Sequence, residues 1–587
     1  MKIRQLEIHN FRGIKSLDWK LPAEQRLVTL VGPGDSGKST VLEAIHYLLG
    51  DRWNIAFSDV DFFGTDVESP ISIRAVLIDV PAALRKDTAF GLWLSGLDGD
   101  GELHQDPEDQ YTPALIAQLT VDSSLEPKWT VERVDGQSQS LNASQRRSFS
   151  TFKVDDRTDA QLRWSRTSAL GRMSSEDGGE REALAAASRA ARDALADHQN
   201  SSLADLAEKV QERANRIGGG RFAAIKPGLD TSRSSMGAAL ALYEDVVPLT
   251  SFGLGSRRLA SFAVQQLAAG TRSVAVVDEI ESGLEPHRAV RLLEYLLTDD
   301  DYSQVVVTTH SPIIVEQARI ENLATVQNSK GIVTVTSLGG SSERLQKLRR
   351  SRPSSFLARR VVVTEGATEY GVLLSCVDVW DQERSSTGLS TAAGEGAAIQ
   401  DGQGGTEVPL RAQAMAKLGY EAAGFMDNDV RDSDAAVTEA ELAGVTIIRW
   451  DLGHQTESQL CAELDSDGLT SLLTLAVDRR NSEDTVLQDL NFIDPSQTVL
   501  SLDVGAWLEI PMTLDDARSR IASAAVARKW FKDVEGGKAL GVWIMKHIDR
   551  PELARVSACL QAVQNFVYPA PPSLPSPEAR VDEPTDG

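Results

Sequence analysis

The sequence predicts an α/β protein built from two successive units. Three observations carry this expectation. A glycine-rich loop lies between an apolar strand and an amphipathic helix over residues 27–49, apolar strands near 273–279 and 304–310 end in polar residues, and beyond a Pro-containing linker further strands end in Glu365-Gly366 and Asp427-Asn428-Asp429.

The loop comes first. Leu27 to Val31 reads as a buried strand and Val41 to Leu49 as an amphipathic helix, and Gly32-Pro33-Gly34-Asp35-Ser36-Gly37-Lys38-Ser39-Thr40 stands between them. Gly32, Gly34 and Gly37 let the backbone turn so that its N–H groups, with those of Ser36 and Thr40, point at phosphate oxygens. The helix N-terminus adds partial positive charge, Lys38 reaches the β- and γ-phosphates, and the Ser39 hydroxyl binds Mg²⁺.

Composition sets the frame. A chain of 587 residues is too long for one core, and its length suggests roughly three or four domains. No apolar run is long enough to span a membrane, and the N-terminus enters an alternating strand, Lys2 to Ile8, instead of a signal peptide, so the expectation is a cytoplasmic protein with no membrane partner. Cys376, Cys461 and Cys559 are widely separated, which suggests buried apolar side chains and neither disulfides nor a zinc site. The net charge of −25 argues against a generally basic, DNA-coating surface while leaving room for a local basic groove or a metal-charged site.

Along the chain, Ser58-Asp59-Val60-Asp61-Phe62-Phe63 follows the first helix without an assignable role, and alternating runs over 71–165 suggest an antiparallel sheet that serves as scaffold. Residues 174–215 are rich in Ala, Glu, Arg and Leu and read as one or two long helices. Such helices either pack on their own domain or form an arm that pairs with a second subunit or touches DNA. Ser251-Phe252-Gly253-Leu254-Gly255-Ser256-Arg257-Arg258-Leu259 is a Gly/Ser turn leading into an apolar helix. Ser273 to Val277 is an apolar strand ending in Asp278-Glu279, where Asp278 would hold the Mg²⁺ shell and Glu279 would polarise the attacking water. A turn at Ser282 to His287 and a strand at 304–309 deliver His310.

In this order, the motifs resemble the ABC-type ATPase head used by recombination and chromosome-maintenance ATPases. The resemblance makes ATP the expected nucleotide. It implies that residues 251–259, through Gly253, Gly255 and Ser256, cap the γ-phosphate bound by a second subunit, and that His310 contacts the γ-phosphate. The signature departs from the commonest Leu-Ser-Gly-Gly-Gln form.

The second unit starts after Arg349 to Ser355. Glu365 stands at a strand tip, Glu369 lies four residues on in the first turn of a helix, and Asp427 and Asp429 at strand period would face the same way. Carboxylates gathered at one sheet edge repel each other without cations, and hard oxygen ligands select Mg²⁺ or Mn²⁺. The arrangement resembles the TOPRIM fold of topoisomerases, primases and certain nucleases. Ile399 to Thr406 resembles the Gly-rich loop of that fold, and Glu457 reads either as a further metal ligand or as a solvated residue at a helix start.

An ABC-type head followed by a TOPRIM unit is similar to the OLD family of ATPase-nucleases, which includes the nuclease subunit of Gabija-type anti-phage systems. The expected organisation is an ATPase head at 1–165 and 231–345 with an inserted helical arm at 166–230, a TOPRIM domain at 356–535, a helical region at 536–567 and a disordered tail at 568–587. The resemblance also implies a homodimer or higher homo-oligomer and a lysine that assists cleavage. Lys529, Lys532 and Lys538 are the candidates, with Lys538 carried forward as the catalytic one. The function expected is a metal-dependent DNA endonuclease gated by ATP, acting in anti-phage defence or DNA repair, with a helicase partner compatible with it. An ATP-operated DNA clamp or sensor is the alternative. A topoisomerase needs a tyrosine nucleophile on a separate domain, where Tyr370 does not lie, and a primase would need a zinc module.

Overall fold

The structure, a computed structural model, describes residues 1–50, 52, 54–154, 158–163, 168–174, 186, 190, 242–245, 247–270, 272–340, 343–429, 433–509 and 512–569. The helical arm expected over 166–230 lies outside these residues except at 168–174, 186 and 190, and the expected tail lies outside them from residue 570 onwards. The chain divides into two compact units. The first comprises Met1–Leu30, Gly37–Ala324 and Asn328–Val335, and the second comprises Val31–Ser36, Thr325–Gln327 and Thr336–Gly587.

In the first unit, β1 (Lys2–Phe11), β2 (Ile14–Lys20), β4 (Ile71–Ile78), β5 (Thr112–Val121) and β6 (Pro127–Glu132) form an antiparallel wing, with β1 between β2 and β4 and β5 between β4 and β6. β2 and β6 alternate between buried and more exposed residues, whereas Ala75–Ile78 of β4 and Ala114–Ala117 of β5 are buried on both faces. The parallel part has β3 (Leu27–Val31), β7 (Thr151–Val154), β8 (Ser273–Val277) and β9 (Tyr302–Thr308), in the order β7-β8-β9-β3. β3 and β8 are buried along their whole length, as their unbroken Leu/Val runs predict for strands covered on both faces. Helix α1 (Lys38–Leu49) follows β3, α2 (Leu254–Ala269) precedes β8, and α3 (Pro286–Thr298) links β8 to β9.

The second unit has a four-stranded, all-parallel sheet. Strands β10 (Arg360–Thr364), β11 (Ala397–Asp401), β12 (Glu421–Met426) and β13 (Thr446–Arg449) lie in the order β11-β10-β12-β13. Register sets Thr364 opposite both Asp401 and Phe425, so three strands end at one edge. Helix α4 (Ala367–Ser386) packs against it, α5 (Thr456–Glu463) follows β13, and α6 (Val534–His547) packs on α4. Residues expected as a separate helical region at 536–567 share one apolar core with the sheet, where Leu540, Ile544 and Leu560 join Phe425, Trp450 and Trp530.

Helices α4 and α6 cross at glycines. A Cβ on Gly371 would collide with the Val534 carbonyl and lie 2.7 Å from the Lys538 nitrogen, and one on Gly537 would collide with the Thr368 carbonyl. All three cysteines are buried, and burial pushes the Cys376 thiol up to about 12. Among the described residues, no helix is long and apolar enough to cross a membrane.

Candidate functional site

Because β8, β9 and β3 are parallel neighbours, the segments after them emerge at the same edge of the sheet. Gly37, with φ 96°, takes the left-handed turn that starts α1 at Lys38, which is 3% exposed. The Ser39 hydroxyl donates to Asp278 Oδ1 at 2.9 Å, and the Thr308 hydroxyl donates to the same oxygen at 2.6 Å. Thr308 Oγ1 in turn accepts the Glu279 N–H at 2.8 Å. The two residues expected to share Mg²⁺ are thus side by side, and Glu279, with φ 46°, leaves the strand in a strained left-handed conformation.

His310 is exposed at the end of the third strand, and its N–H donates to Glu281 Oε1 at 2.6 Å. Burial and then Lys38 hold its imidazole below the usual value, against the pull of Glu279, Glu281 and Asp278. Of the other loop residues, Gly32 and Ser36 are buried, Gly34 is exposed and Thr40 is half-buried.

Gly253 caps α2, and Gly253 and Ser256 are exposed, while a Cβ on Gly255 would collide with the Gly283 carbonyl. Arg258, buried in the same helix, donates to the backbone carbonyls of Asp278 and Glu279, the latter at 2.8 Å. Sequence pattern alone does not single out this residue. Its signal was a charged side chain entering an apolar helix directly after the Gly/Ser turn. Asp61 has a structural role: its carboxylate accepts from Arg12 Nε at 2.9 Å, and Arg12 also meets Glu43 at 3.1 Å.

In the second unit, the ends of β10, β11 and β12 and the first turns of α4 and α5 enclose carboxylates. Glu365, Glu369, Asp401, Asp427, Gly404 and Lys532 line a cleft of about 300 Å³. Glu365 Oε2 accepts the Asp427 N–H at 2.8 Å. Glu369, 2% exposed, caps its own helix by accepting the Gly366 N–H at 3.1 Å and also accepts the Thr456 hydroxyl at 2.8 Å. Asp427 Oδ1 accepts the Thr456 N–H at 3.0 Å, so Thr456 joins the two acids. Glu457 is 1% exposed, with neither carboxylate oxygen hydrogen-bonded among the described residues. Its countercharge is Lys532, at 3.5 Å.

Burial, reinforced by neighbouring acids, pushes the Glu365, Glu369 and Asp427 carboxyls up. Burial works against the Lys532 ammonium, but Glu457, Glu369 and Asp427 outweigh it and hold its pKa above the usual lysine value. The cluster is acid in excess around one cation.

Two expectations change. Asp427 and Asp429 do not share a face, because β12 stops at Met426 and Asn428 is turned away, its side chain donating to the Trp450 carbonyl at 2.9 Å. Asp427 is buried, whereas Asp429 is exposed and accepts from Gln455 Nε2 at 2.5 Å. The lysine in the cluster is Lys532 and not Lys538, whose ammonium pairs with Glu535 at 2.8 Å on the surface of α6. Asp401, Gln455 and Thr456 were not singled out from sequence. Asp401 carried a signal, as the last residue of a strand beside Glu365.

The chemistry of both sites suits a hard divalent cation. In the first, Ser39 and Asp278 could hold it, and in the second the donors are Glu365, Glu369, Asp427, Asp429 and Glu457, with the orphaned Glu457 oxygens the clearest sign of a missing partner. Among the described residues, no three acidic, histidine or cysteine side chains already form a metal-sized cage.

Comparison with known proteins bears mainly on the first unit. Residues 27–316 match the family described as "AAA domain, putative AbiEii toxin, Type IV TA system". The match and the geometry of the first site agree on an ATPase domain. The OLD nuclease of Thermus scotoductus is 34% identical over 113 residues, 18% of this chain and 21% of that protein, so the alignment spans about a fifth of this relative. The DNA replication and repair protein RecF of Chlorobium luteolum is 27% identical over 296 residues, 49% of this chain and 73% of that protein. Solved SMC heads also match, at 13% identity. The Thermotoga maritima head has a TM-score of 0.27 and covers 57% of this chain and 99% of its own. The Pyrococcus furiosus head bound to the C-terminal domain of ScpA has a TM-score of 0.33 and covers 59% and 99%.

Proposed function

We propose that this protein is a DNA endonuclease of the OLD type, dependent on divalent cations and gated by ATP in its first unit. The observation that carries the reading is the set of half-buried Glu365 and buried Glu369, Asp427 and Glu457 around Lys532 at the C-terminal edge of a parallel sheet. So many acids in so little solvent are costly in an idle scaffold, and active sites are where such perturbed groups collect. The TOPRIM assignment, action in the cytoplasm in anti-phage defence or DNA repair, and assembly into a homodimer or larger homo-oligomer belong to the same reading. The partial likeness to OLD nuclease supports it.

In the first unit, Lys38 and the loop around it would bind the phosphates of ATP, with Ser39 and Asp278 holding Mg²⁺. Glu279 would orient water, and Arg258 would fix the backbone carrying both acids. In the second, Glu365, Asp427 and Asp429 would hold Mg²⁺ or Mn²⁺, with Glu369 and Glu457 assisting. Bound there, divalent cations supply an activated water and stabilise the leaving oxygen of a phosphodiester. Thr456 orients Glu369 and Asp427, and Lys532 places one positive charge where the phosphodiester would lie.

Supercoiled plasmid incubated with Mg²⁺ or Mn²⁺, with and without ATP, tests the reading alongside Glu365→Ala and Lys38→Ala. Nicking or linearisation that disappears in Glu365→Ala supports it, and the Lys38→Ala lanes give the sign of the gating. ATP hydrolysis without cleavage under every condition favours the DNA clamp or sensor.

A further inference from the structure

In the second unit, arginines are almost all neutralised. Arg360 meets Glu421 at 2.6 Å, Arg344 meets Glu407 at 2.8 Å, Arg449 meets Asp434 at 2.9 Å and Arg479 meets Asp533 at 2.9 Å. Arg520 has no carboxylate within ion-pair distance among the described residues and is bound up with the carbonyls of Leu490, Gln497 and Asp494. In a chain with 85 acidic and 60 basic residues, this is the expected fate of a guanidinium. Arg352 differs. Among the described residues, its side chain has neither a carboxylate nor a hydrogen-bond partner, and it lies over the ring of Tyr370, 5.1 Å from the centroid. A guanidinium over an aromatic face keeps its N–H groups available to other partners.

The position of this pair gives it meaning. Tyr370 is the residue after Glu369 in the first turn of α4, and Gly366, Ala367, Thr368 and Glu369 of that turn line the acidic cleft. Successive helical residues point about 100° apart, so Tyr370 stands one position on from Glu369, outside the residues that line the cleft. A polyanion approaching the cleft meets repelling carboxylates inside it and, over the Tyr370 ring one residue on from Glu369, a guanidinium with no acid partner among the described residues.

We propose that Arg352, lying over the ring of Tyr370, is a phosphate-binding site that seats the nucleic-acid backbone alongside the acidic cleft. The inference deepens the nuclease reading and rests on it. Arg352 supplies charge-assisted hydrogen bonds to a backbone phosphate, and Tyr370 supplies its orientation. The Arg350 side chain, exposed and without an acid partner among the described residues, adds positive charge at the end of the same stretch.

The test is binding of fluorescein-labelled DNA, single-stranded and duplex, to the full chain in EDTA, where no cleavage occurs, followed by anisotropy across a salt series. Arg352→Ala is expected to weaken binding about 3- to 10-fold and to lower the slope of log affinity against log salt by about one. Arg352→Lys should keep the slope but not the full affinity, and Tyr370→Phe should behave as wild type while Tyr370→Ala follows Arg352→Ala. Unfolding midpoints of the four variants within about 2 °C of wild type exclude misfolding as the cause. Unchanged affinity and slope in Arg352→Ala, with wild-type binding intact, overturn the inference and leave the nuclease reading standing. Absence of DNA binding by the wild type, with and without ATP, overturns both.

Discussion

The Ser39 hydroxyl donates to Asp278 at 2.9 Å, on the same carboxylate oxygen that takes the Thr308 hydroxyl at 2.6 Å. Thr308 is therefore a positioning residue, holding Asp278 through its donor and the Glu279 backbone through its acceptor. Thr308→Val should lower ATP turnover about 10-fold, the cost of roughly 1.4 kcal/mol for lost hydrogen bonds, with nucleotide affinity within about twofold. Phosphate release and fluorescent-nucleotide titration separate the two, and an equal loss in both would show that Thr308 merely supports the fold.

Glu279 has the exposed carboxylate of the pair, and its position depends on a left-handed backbone that Arg258 and Thr308 pin from either side. Glu279→Gln is expected to retain ATP binding and lose hydrolysis by about 100-fold or more. Hydrolysis at wild-type rate would remove Glu279 from the chemistry.

Lys532 and Lys538 offer a paired experiment. Lys532→Met should abolish plasmid cleavage, while Lys538→Met should leave it nearly unchanged, since the Lys538 ammonium is paired with Glu535 on the surface. Loss in both variants would mean that cleavage draws on α6 as a whole.

Divalent cations should act as a measurable ligand of the second cluster. Mn²⁺ at 100 times its dissociation constant stabilises a protein by about 2.7 kcal/mol through linkage. Glu457→Gln should lower the unfolding midpoint in EDTA, by removing the countercharge of Lys532, and shrink the rise caused by Mn²⁺. An undiminished Mn²⁺ effect in Glu457→Gln would count against Glu457 as a ligand.

The crossing of α4 and α6 has no space for a side chain. Gly537→Ala should cost about 1–3 kcal/mol in urea unfolding, the usual range for overpacking, and should reduce cleavage by displacing the turn that carries Glu369. Full stability would show that the helices can separate cheaply.

Both sites were legible where function sits in contiguous residues. The loop from Gly32 to Thr40, Asp278-Glu279 and Glu365-Gly366 each couple a strand end to a polar motif, which local pattern reveals. What escaped depends on contacts distant in sequence. Choosing Lys532 over Lys538 requires knowing that Asp533 caps α6, accepting the Gly536 N–H at 2.7 Å, so that Lys532 leaves before the helix begins and Lys538 is carried along its side. Thr456 serves Glu369 and Asp427 from residues far along the chain, and Arg258 serves Asp278 across a helix and a strand. Asp429 does not follow the strand alternation of Asp427, because the ladder ends at Met426.

The sealed cysteines make the chain ready for single-site fluorescence work. Cys376, Cys461 and Cys559 are buried and their thiols resist ionisation, so a maleimide dye has no native target in the folded protein. The turn after β6 offers the attachment point. Val134 is 45% exposed in a hairpin closed by Arg133 and Gln137 at the wing of the first unit, on a different part of the sheet from Ser39, Asp278 and His310. A dye on Val134→Cys would report from this chain alone, with the nucleotide chemistry left as it was.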